Sequence, residues 1–230
     1  MFGQTMVLNP EAQTRVSAYF TQVYGWMAAA LGVSGAVAWY TASSGLLIKM
    51  MTANPGLFYG AMIAEVGLVI VLSFMLQRMS VPVAILMFLA YSALTGFTLS
   101  TIFLAYTAAS IVTTFLLAAS IFGVMAVYGL FTNRNLGAWG GFLIMSLFGI
   151  ILASLVNLFL KSPMIDWMMT YAGIVVFSGL AAYDHQKLKA MCLMSQGDSL
   201  GKLAIFGALS LYLDFINLFL SLLRAFGRQK

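Results

Sequence analysis

The sequence predicts an all-α integral membrane protein with seven transmembrane helices. Of its 230 residues, 62% are hydrophobic and only 7% are charged, and the mean hydropathy is +0.99. Soluble domains carry about 25% charged residues, so this composition excludes a soluble globular class. The apolar residues form long continuous runs, whereas the strands of a transmembrane barrel would alternate apolar and polar positions. Helices satisfy their own backbone hydrogen bonds in lipid and are therefore the expected spans.

Seven apolar runs are each about 20 residues long, which is the length that crosses a bilayer. In chain order they cover residues 23–42, 57–76, 81–103, 108–131, 139–160, 166–183 and 203–223. The breaks carry residues that a helix in lipid avoids, such as Asn54-Pro55, Asn133-Arg134 and Ser162-Pro163. The break near residues 105–109 has neither charge nor proline, so six or eight helices remain alternatives.

The predicted organisation is an N-terminal surface segment (1–22), a transmembrane domain (23–224) and a short basic tail (225–230). We expect a helix to begin after Asn9-Pro10. Basic residues concentrate on the cytoplasmic side of membrane proteins. Six of them fall on the side that holds the N-terminus: Arg15, Arg78, Arg134, Lys187, Lys189 and Lys202. We therefore expect a multi-pass membrane protein with a cytoplasmic N-terminus. Seven spans place the C-terminus on the opposite side, although the basic residues of the tail favour the cytoplasmic side.

Several functional classes are disfavoured by what the chain contains. The net charge is +5, but the basic residues stand singly between apolar runs, so we expect the lipid bilayer and not nucleic acid as the partner. Cys192 is the only cysteine and His185 the only histidine, so a disulfide, a thiolate cluster or an imidazole metal site is not expected. We expect no enzyme and no tightly bound cofactor.

Small residues recur four positions apart, as in Ala119 and Gly123, Gly137 and Gly141, and Gly149 and Ala153. This spacing lets helix backbones approach closely in lipid. We therefore expect these pairs to lie at helix contacts.

Acidic residues inside the predicted spans carry most of the functional information. Asp214 lies near the middle of the last run, where a carboxylate costs roughly 2.5–3.5 kcal/mol. Asp184 lies toward the end of the sixth helix, and because the seventh returns antiparallel, the two depths overlap. Two buried carboxylates within reach share a proton, and without it they repel or recruit a cation. Oxygen ligands, with Asn217 in support, favour a hard cation such as calcium.

Each of these residues also has a purely structural interpretation. Asp184 could be an interfacial carboxylate beside Lys187, and Asp214 a protonated structural aspartate. Glu65, in the second run, could pair with an inserted basic residue or pack as a neutral side chain, whereas Arg78 is expected to extend to the headgroups. His185 follows Asp184 directly, and consecutive helical residues point about 100° apart, so we interpret it as an ordinary interfacial histidine.

Five segments resemble the Bax inhibitor family, also called the TMBIM family, and in particular its bacterial inner-membrane branch. These are QVYGWM, YSALTGFTLSTIF, ASLVNLFLKS, GLAAYDHQKLK and ALSLYLDFINLFLSLLRAFG, so the resemblance extends over nearly the whole chain. It implies six helices around a central seventh, and a calcium leak whose pH sensor is the aspartate pair in AYDHQ and LYLDFIN, which here is Asp184 and Asp214. An acidic and a basic residue of the second helix take part in gating in some members, and Glu65 and Arg78 are the possible counterparts.

The leading hypothesis is a pH-sensitive calcium-permeable leak channel, with calcium as the permeant or transient ion. An interaction protein that modulates a membrane protease or a stress response is the alternative, and its support in the sequence is the N-terminal segment. An intramembrane aspartyl protease is disfavoured, because Tyr183-Asp184 matches the first motif of that class but the residues around Asp214 lack the glycines of the second.

Overall fold

The computed structural model describes residues 9–195 and 200–230, apart from the side chain of Gln77, and these residues form helices and no β-strand. The helices are α1 (Pro10–Ser43), α2 (Leu46–Ala53), α3 (Pro55–Met75), α4 (Val81–Leu99), α5 (Thr101–Ala105), α6 (Ala108–Phe131), α7 (Gly137–Leu160), α8 (Pro163–Met194) and α9 (Leu200–Phe226). A 3-10 turn, Leu76–Arg78, follows α3.

Six helical segments of the described chain are long and apolar enough to cross a membrane, and the bent pair of α1 and α2 would make a seventh. The axes of α1 and α2 differ by 68°, and α4 and α5 count together as one span, Val81–Ala105. The all-α membrane fold predicted from the sequence is therefore confirmed. The predicted break near residues 105–109 is also confirmed, because α5 ends at Ala105 and α6 begins at Ala108.

Two helices extend beyond their predicted apolar spans. Helix α1 begins at Pro10, where the Asn9 side chain accepts a hydrogen bond from the Ala12 amide (2.8 Å), so residues 10–22 continue directly into the span. Residues 1–8 of the predicted surface segment lie outside the described chain. Helix α8 runs on to Met194, well past residue 183. In both places the helix continues into more polar sequence, which hydropathy alone does not assign to a span.

The described chain packs as two compact units. The first, called here the α6–α8 unit, contains residues 9–16, Ala109–Met194 and Leu213–Arg228. The second, called the α1–α5 unit, contains Ser17–Ala108, residues 195 and 200–212, and Gln229–Lys230. Helix α9 contributes its first half to the α1–α5 unit and its second half to the α6–α8 unit.

Helix α9 is the most enclosed of the candidate spans. In its most apolar window, 67% of the residues are buried, against 6–39% in the other five long spans. Most residues in the most apolar windows of the other five long spans are therefore not covered by protein, whereas α9 is covered mainly by protein. The arrangement of six helices around a central seventh, which the family resemblance implies, stays a prediction.

Glycines allow close helix contacts within each unit. In the α1–α5 unit, a Cβ atom at Gly96 would lie 2.5 Å from the backbone oxygen of Ser34 on α1. In the α6–α8 unit, a Cβ atom at Gly129 would collide with the backbone carbonyl of Ala182, and one at Gly140 with the ring of Tyr183. Helix backbones can approach this closely only where one side lacks a side chain.

The glycines of the small-residue pairs expected at helix contacts do not lie there. A Cβ atom at Gly123, Gly141 or Gly149 would meet nothing within 4 Å, and one at Gly137 would meet only the Asn135 side chain of its own turn. The expectation was wrong because spacing by four residues places small side chains on one face of a helix without indicating whether that face meets protein or lipid.

The turn between α7 and α8 is fixed by a buried amide. Asn157 is 7% exposed, its Oδ1 accepts from the Ser162 amide (2.8 Å), and its Nδ2 donates to Asp166 Oδ1 (3.0 Å). Lys161 between them adopts a left-handed conformation with φ 48°.

We expect Asn157→Ala to lower the free energy of unfolding by about 1–3 kcal/mol, because it removes the two hydrogen bonds that the buried Asn157 side chain makes with the Ser162 amide and the Asp166 carboxylate. Lys161→Gly should match the wild type or be slightly more stable, since glycine adopts φ > 0 without steric cost. Thermal unfolding in detergent micelles measures both. An Asn157→Ala protein as stable as the wild type would contradict this account of the turn.

Candidate functional site

Asp214 is a buried carboxylate in the interior of the most enclosed helix. It is 6% exposed, and its Oδ2 atom is buried without a hydrogen-bond partner. It lies about 21 Å along α9 from the helix start at Leu200, far from either helix end. Since a buried polar atom without a partner costs about 1–3 kcal/mol, such an atom in a span is a candidate for a functional role.

Asp184 and Lys187 of α8 are the charged groups that act electrostatically on Asp214. Lys187 also acts on Asp184, which is half-buried about 15 Å before the end of α8 at Met194. The Lys187 ammonium is exposed and lies 5.8 Å from the centre of the Tyr183 ring. The α6–α8 unit thus brings two carboxylates and one ammonium into electrostatic range.

The part of α8 that carries Asp184 is held by the connection between α6 and α7. The Gln186 side chain accepts from the Leu136 amide (2.8 Å) and donates to the Arg134 carbonyl (2.9 Å). The Lys189 ammonium donates to the Leu130 carbonyl (2.7 Å) in the last turn of α6, where a cation is favourable. Neither the Gln186 contacts nor the Lys189 contact was predicted from the sequence. The polar run from Asp184 to Lys187 was the only feature of the sequence that pointed to contacts of this kind.

His185 is not the interfacial residue that was expected. It is fully buried, its Nδ1 lies 2.5 Å from the Ala181 carbonyl, and its ring packs edge-on against Phe122 at 5.4 Å between centres. The expectation was wrong because α8 continues past this position and Phe122 of α6 covers the ring. Phe122 also packs edge-on against Phe215, the neighbour of Asp214, at 5.6 Å.

Asn217, proposed as support for an ion, uses its side-chain amide within its own helix. Its Nδ2 donates to the Leu213 carbonyl (2.8 Å), and its backbone carbonyl accepts from the Ser221 hydroxyl (2.8 Å). Within residues 9–195 and 200–230, no group of three or more His, Cys, Asp and Glu side chains could hold a metal ion. The pair of aspartates as a transient calcium site therefore stays a prediction.

Glu65 and Arg78 lie apart in the α1–α5 unit. Glu65 is half-buried in the middle of α3, and its Oε2 accepts from the Thr98 hydroxyl (2.8 Å). Arg78 is exposed in the 3-10 turn after α3, about 20 Å along the chain axis from Glu65. The two residues are therefore not one ion pair, and a role for either in gating stays a prediction.

Comparison with known proteins identifies the family. Residues 16–230 match the family model described as inhibitor of apoptosis-promoting Bax1. The chain is 50% identical over 227 residues to "Inner membrane protein YbhL" of Escherichia coli (strain K12), covering 97% of this chain and 96% of the relative. It is also 42% identical over 213 residues to an uncharacterized protein of Rickettsia prowazekii, covering 92% of this chain and 90% of the relative. An uncharacterized protein of Borreliella burgdorferi is 41% identical over 214 residues, or 92% of each chain. A model that matches nearly the whole chain, relatives of the same length and a set of long apolar helices agree: the chain is a multi-pass membrane protein of the Bax inhibitor family.

Proposed function

We propose that this chain is a calcium-permeable leak channel whose opening responds to pH through Asp184 and Asp214. The observation that carries the proposal is the buried Oδ2 of Asp214, which has no hydrogen-bond partner and lies in electrostatic range of a second carboxylate. A carboxylate inside a membrane helix is costly, so it is retained where it binds or transfers something charged.

The charge balance of the cluster suggests how it would respond. With one proton shared between the aspartates, their single negative charge is offset by Lys187. Without that proton, the cluster carries one uncompensated negative charge, and the two carboxylates repel each other. Such a site favours either a displacement of α8 relative to α9 or the entry of a hard cation, and calcium is the cation whose ligands are oxygens of this kind.

Calcium binding at this pair has a defined pH dependence. A carboxylate must be deprotonated to coordinate a cation, so calcium competes with the shared proton. The affinity for calcium should therefore rise as pH rises and fall as pH is lowered through the range in which the pair takes up its proton.

The proposed cellular location rests on the long apolar helices and on the relatives. Escherichia coli YbhL is named an inner membrane protein, and we propose the inner membrane for this chain as well. The excess of basic residues in the loops on one side supports a cytoplasmic N-terminus.

The proposal is tested with purified protein in liposomes that enclose a calcium-sensitive dye. Calcium flux should exceed that of protein-free liposomes and should change severalfold as the pH is varied. A wild-type protein that carries no calcium at any pH would contradict the channel. The alternative function is then that of an interaction protein that modulates a membrane protease. Pull-down of partners with and without residues 1–22 would test it.

A further inference from the structure

The connection between α6 and α7 (residues 132–136) is a short polar stretch between two candidate membrane spans. Helix α6 ends at Phe131 and α7 begins at Gly137. The connection, TNRNL, contains the basic residue Arg134 and no acidic residue. Because both flanking helices are long and apolar enough to cross a bilayer, the connection lies where the chain leaves the hydrocarbon and reaches the lipid headgroups.

Hydrogen bonds fix the backbone of this connection and leave the guanidinium of Arg134 outside them. The Gln186 side chain of α8 binds the Leu136 amide and the Arg134 carbonyl, as described above, and Asn135 Oδ1 accepts from the Gly137 amide (2.8 Å). The Arg134 side chain is exposed and takes no part in these bonds. A cation on a fixed backbone is therefore presented at the level of the headgroups.

An exposed indole and a second exposed cation lie at the same end of α7. Trp139, in the first turn of α7, is 63% exposed and packs edge-on against Phe142 at 6.4 Å between ring centres. Gly140, the next residue, contacts the Tyr183 ring of α8, since a Cβ atom there would collide with it. The exposed Lys187 ammonium lies 5.8 Å from the centre of the same ring.

We propose that Arg134, Lys187 and Trp139 form a binding site for the headgroup of an anionic phospholipid, called here the headgroup site. A guanidinium donates two parallel N–H bonds to phosphate oxygens, and an ammonium adds a point charge. Indole rings prefer the depth at which headgroups meet acyl chains.

The charge of the headgroup site selects among phospholipids. A phosphatidylcholine headgroup carries its own cation, which cancels the charge of its phosphate. Two protein cations therefore favour a headgroup with a net negative charge, such as phosphatidylglycerol. Arg134 and Trp139 lie outside the Asp184 and Asp214 pair, so their substitution tests the headgroup site alone.

The test is the thermal unfolding of the purified protein in detergent micelles with added phosphatidylglycerol, phosphatidylcholine or inorganic phosphate. A ligand that binds only the folded state raises the melting temperature, by about 5 °C or more at one hundred times its Kd for a chain of this size. We expect phosphatidylglycerol to give such a shift, and the shift should shrink at high salt, which screens exposed charges. Phosphatidylcholine and inorganic phosphate should each give a clearly smaller shift.

Substitutions then locate the site. Arg134→Gln and Trp139→Ala should each lose most of the phosphatidylglycerol shift. Arg134→Gln keeps the backbone carbonyl that Gln186 binds, so the connection should stay folded. The matched control is Lys161→Gln, which removes an exposed basic residue just after the other end of α7 and should keep the full shift. Asp214→Asn should keep it as well.

Four results would overturn the headgroup site. These are no shift with phosphatidylglycerol in the wild type, an equal shift with phosphatidylcholine or inorganic phosphate, a full shift in Arg134→Gln and Trp139→Ala, and a loss in Lys161→Gln as large as in Arg134→Gln. No calcium flux enters the measurement, so its outcome is independent of the channel proposal.

Discussion

Asp214→Asn should remove the pH response of calcium flux through the reconstituted protein. Asparagine keeps the size of the side chain but neither ionises nor carries the shared proton, so the repulsion between two carboxylates that drives the proposed response cannot arise. A response of about tenfold in the wild type corresponds to about 1.4 kcal/mol between the two protonation states of the pair. Flux measured in dye-loaded liposomes at a series of pH values should become flat in this variant.

The matched control for this prediction is Glu11→Gln, because Glu11 is an exposed carboxylate in the first turn of α1. Its removal should leave the pH profile unchanged. If Asp214→Asn retains the wild-type profile while Glu11→Gln alters it, surface charge and not the buried pair sets the pH response.

Gly129→Ala should be the most destabilising single-methyl change in the α6–α8 unit. The added Cβ would collide with the backbone carbonyl of Ala182, which cannot rotate away as a side chain can, so α6 and α8 must move apart. Overpacking of this kind costs about 1–3 kcal/mol. The lower melting temperature of the purified protein in detergent would report it.

Gly123→Ala on the same helix is the control, because its Cβ would meet nothing within 4 Å. Alanine has the higher helix propensity, so this variant should be as stable as the wild type or more stable by up to about 1 kcal/mol. Equal melting temperatures for the two variants would show that α6 does not pack on α8 at Gly129.

Features that depend on local composition could be predicted from the sequence. The apolar runs gave the spans because a bilayer requires about 20 such residues in succession. Asp214 could be found because a charged residue in a long apolar run is rare and costly. The break between α5 and α6, although it carries no charge or proline, was also located correctly.

Features that depend on which face of a helix meets another helix could not be predicted. Gly123 and Gly129 look alike in the sequence, yet one faces open space and the other meets Ala182. His185 was expected at the interface because nothing in the sequence indicates that Phe122 covers it. The hydrogen bond between Tyr212 and Ser34 could not be predicted either, because only folding brings these two hydroxyls together.

The most direct test of the central claim is a double-mutant cycle on the pH response of calcium flux, with Asp184→Asn, Asp214→Asn and the double variant. Residues that act as one unit give non-additive effects. If the aspartates share one proton, each single variant should lose the response, and the double variant should lose nothing more. Additive effects of the two substitutions, or a wild-type response in either single variant, would contradict a coupled acid pair.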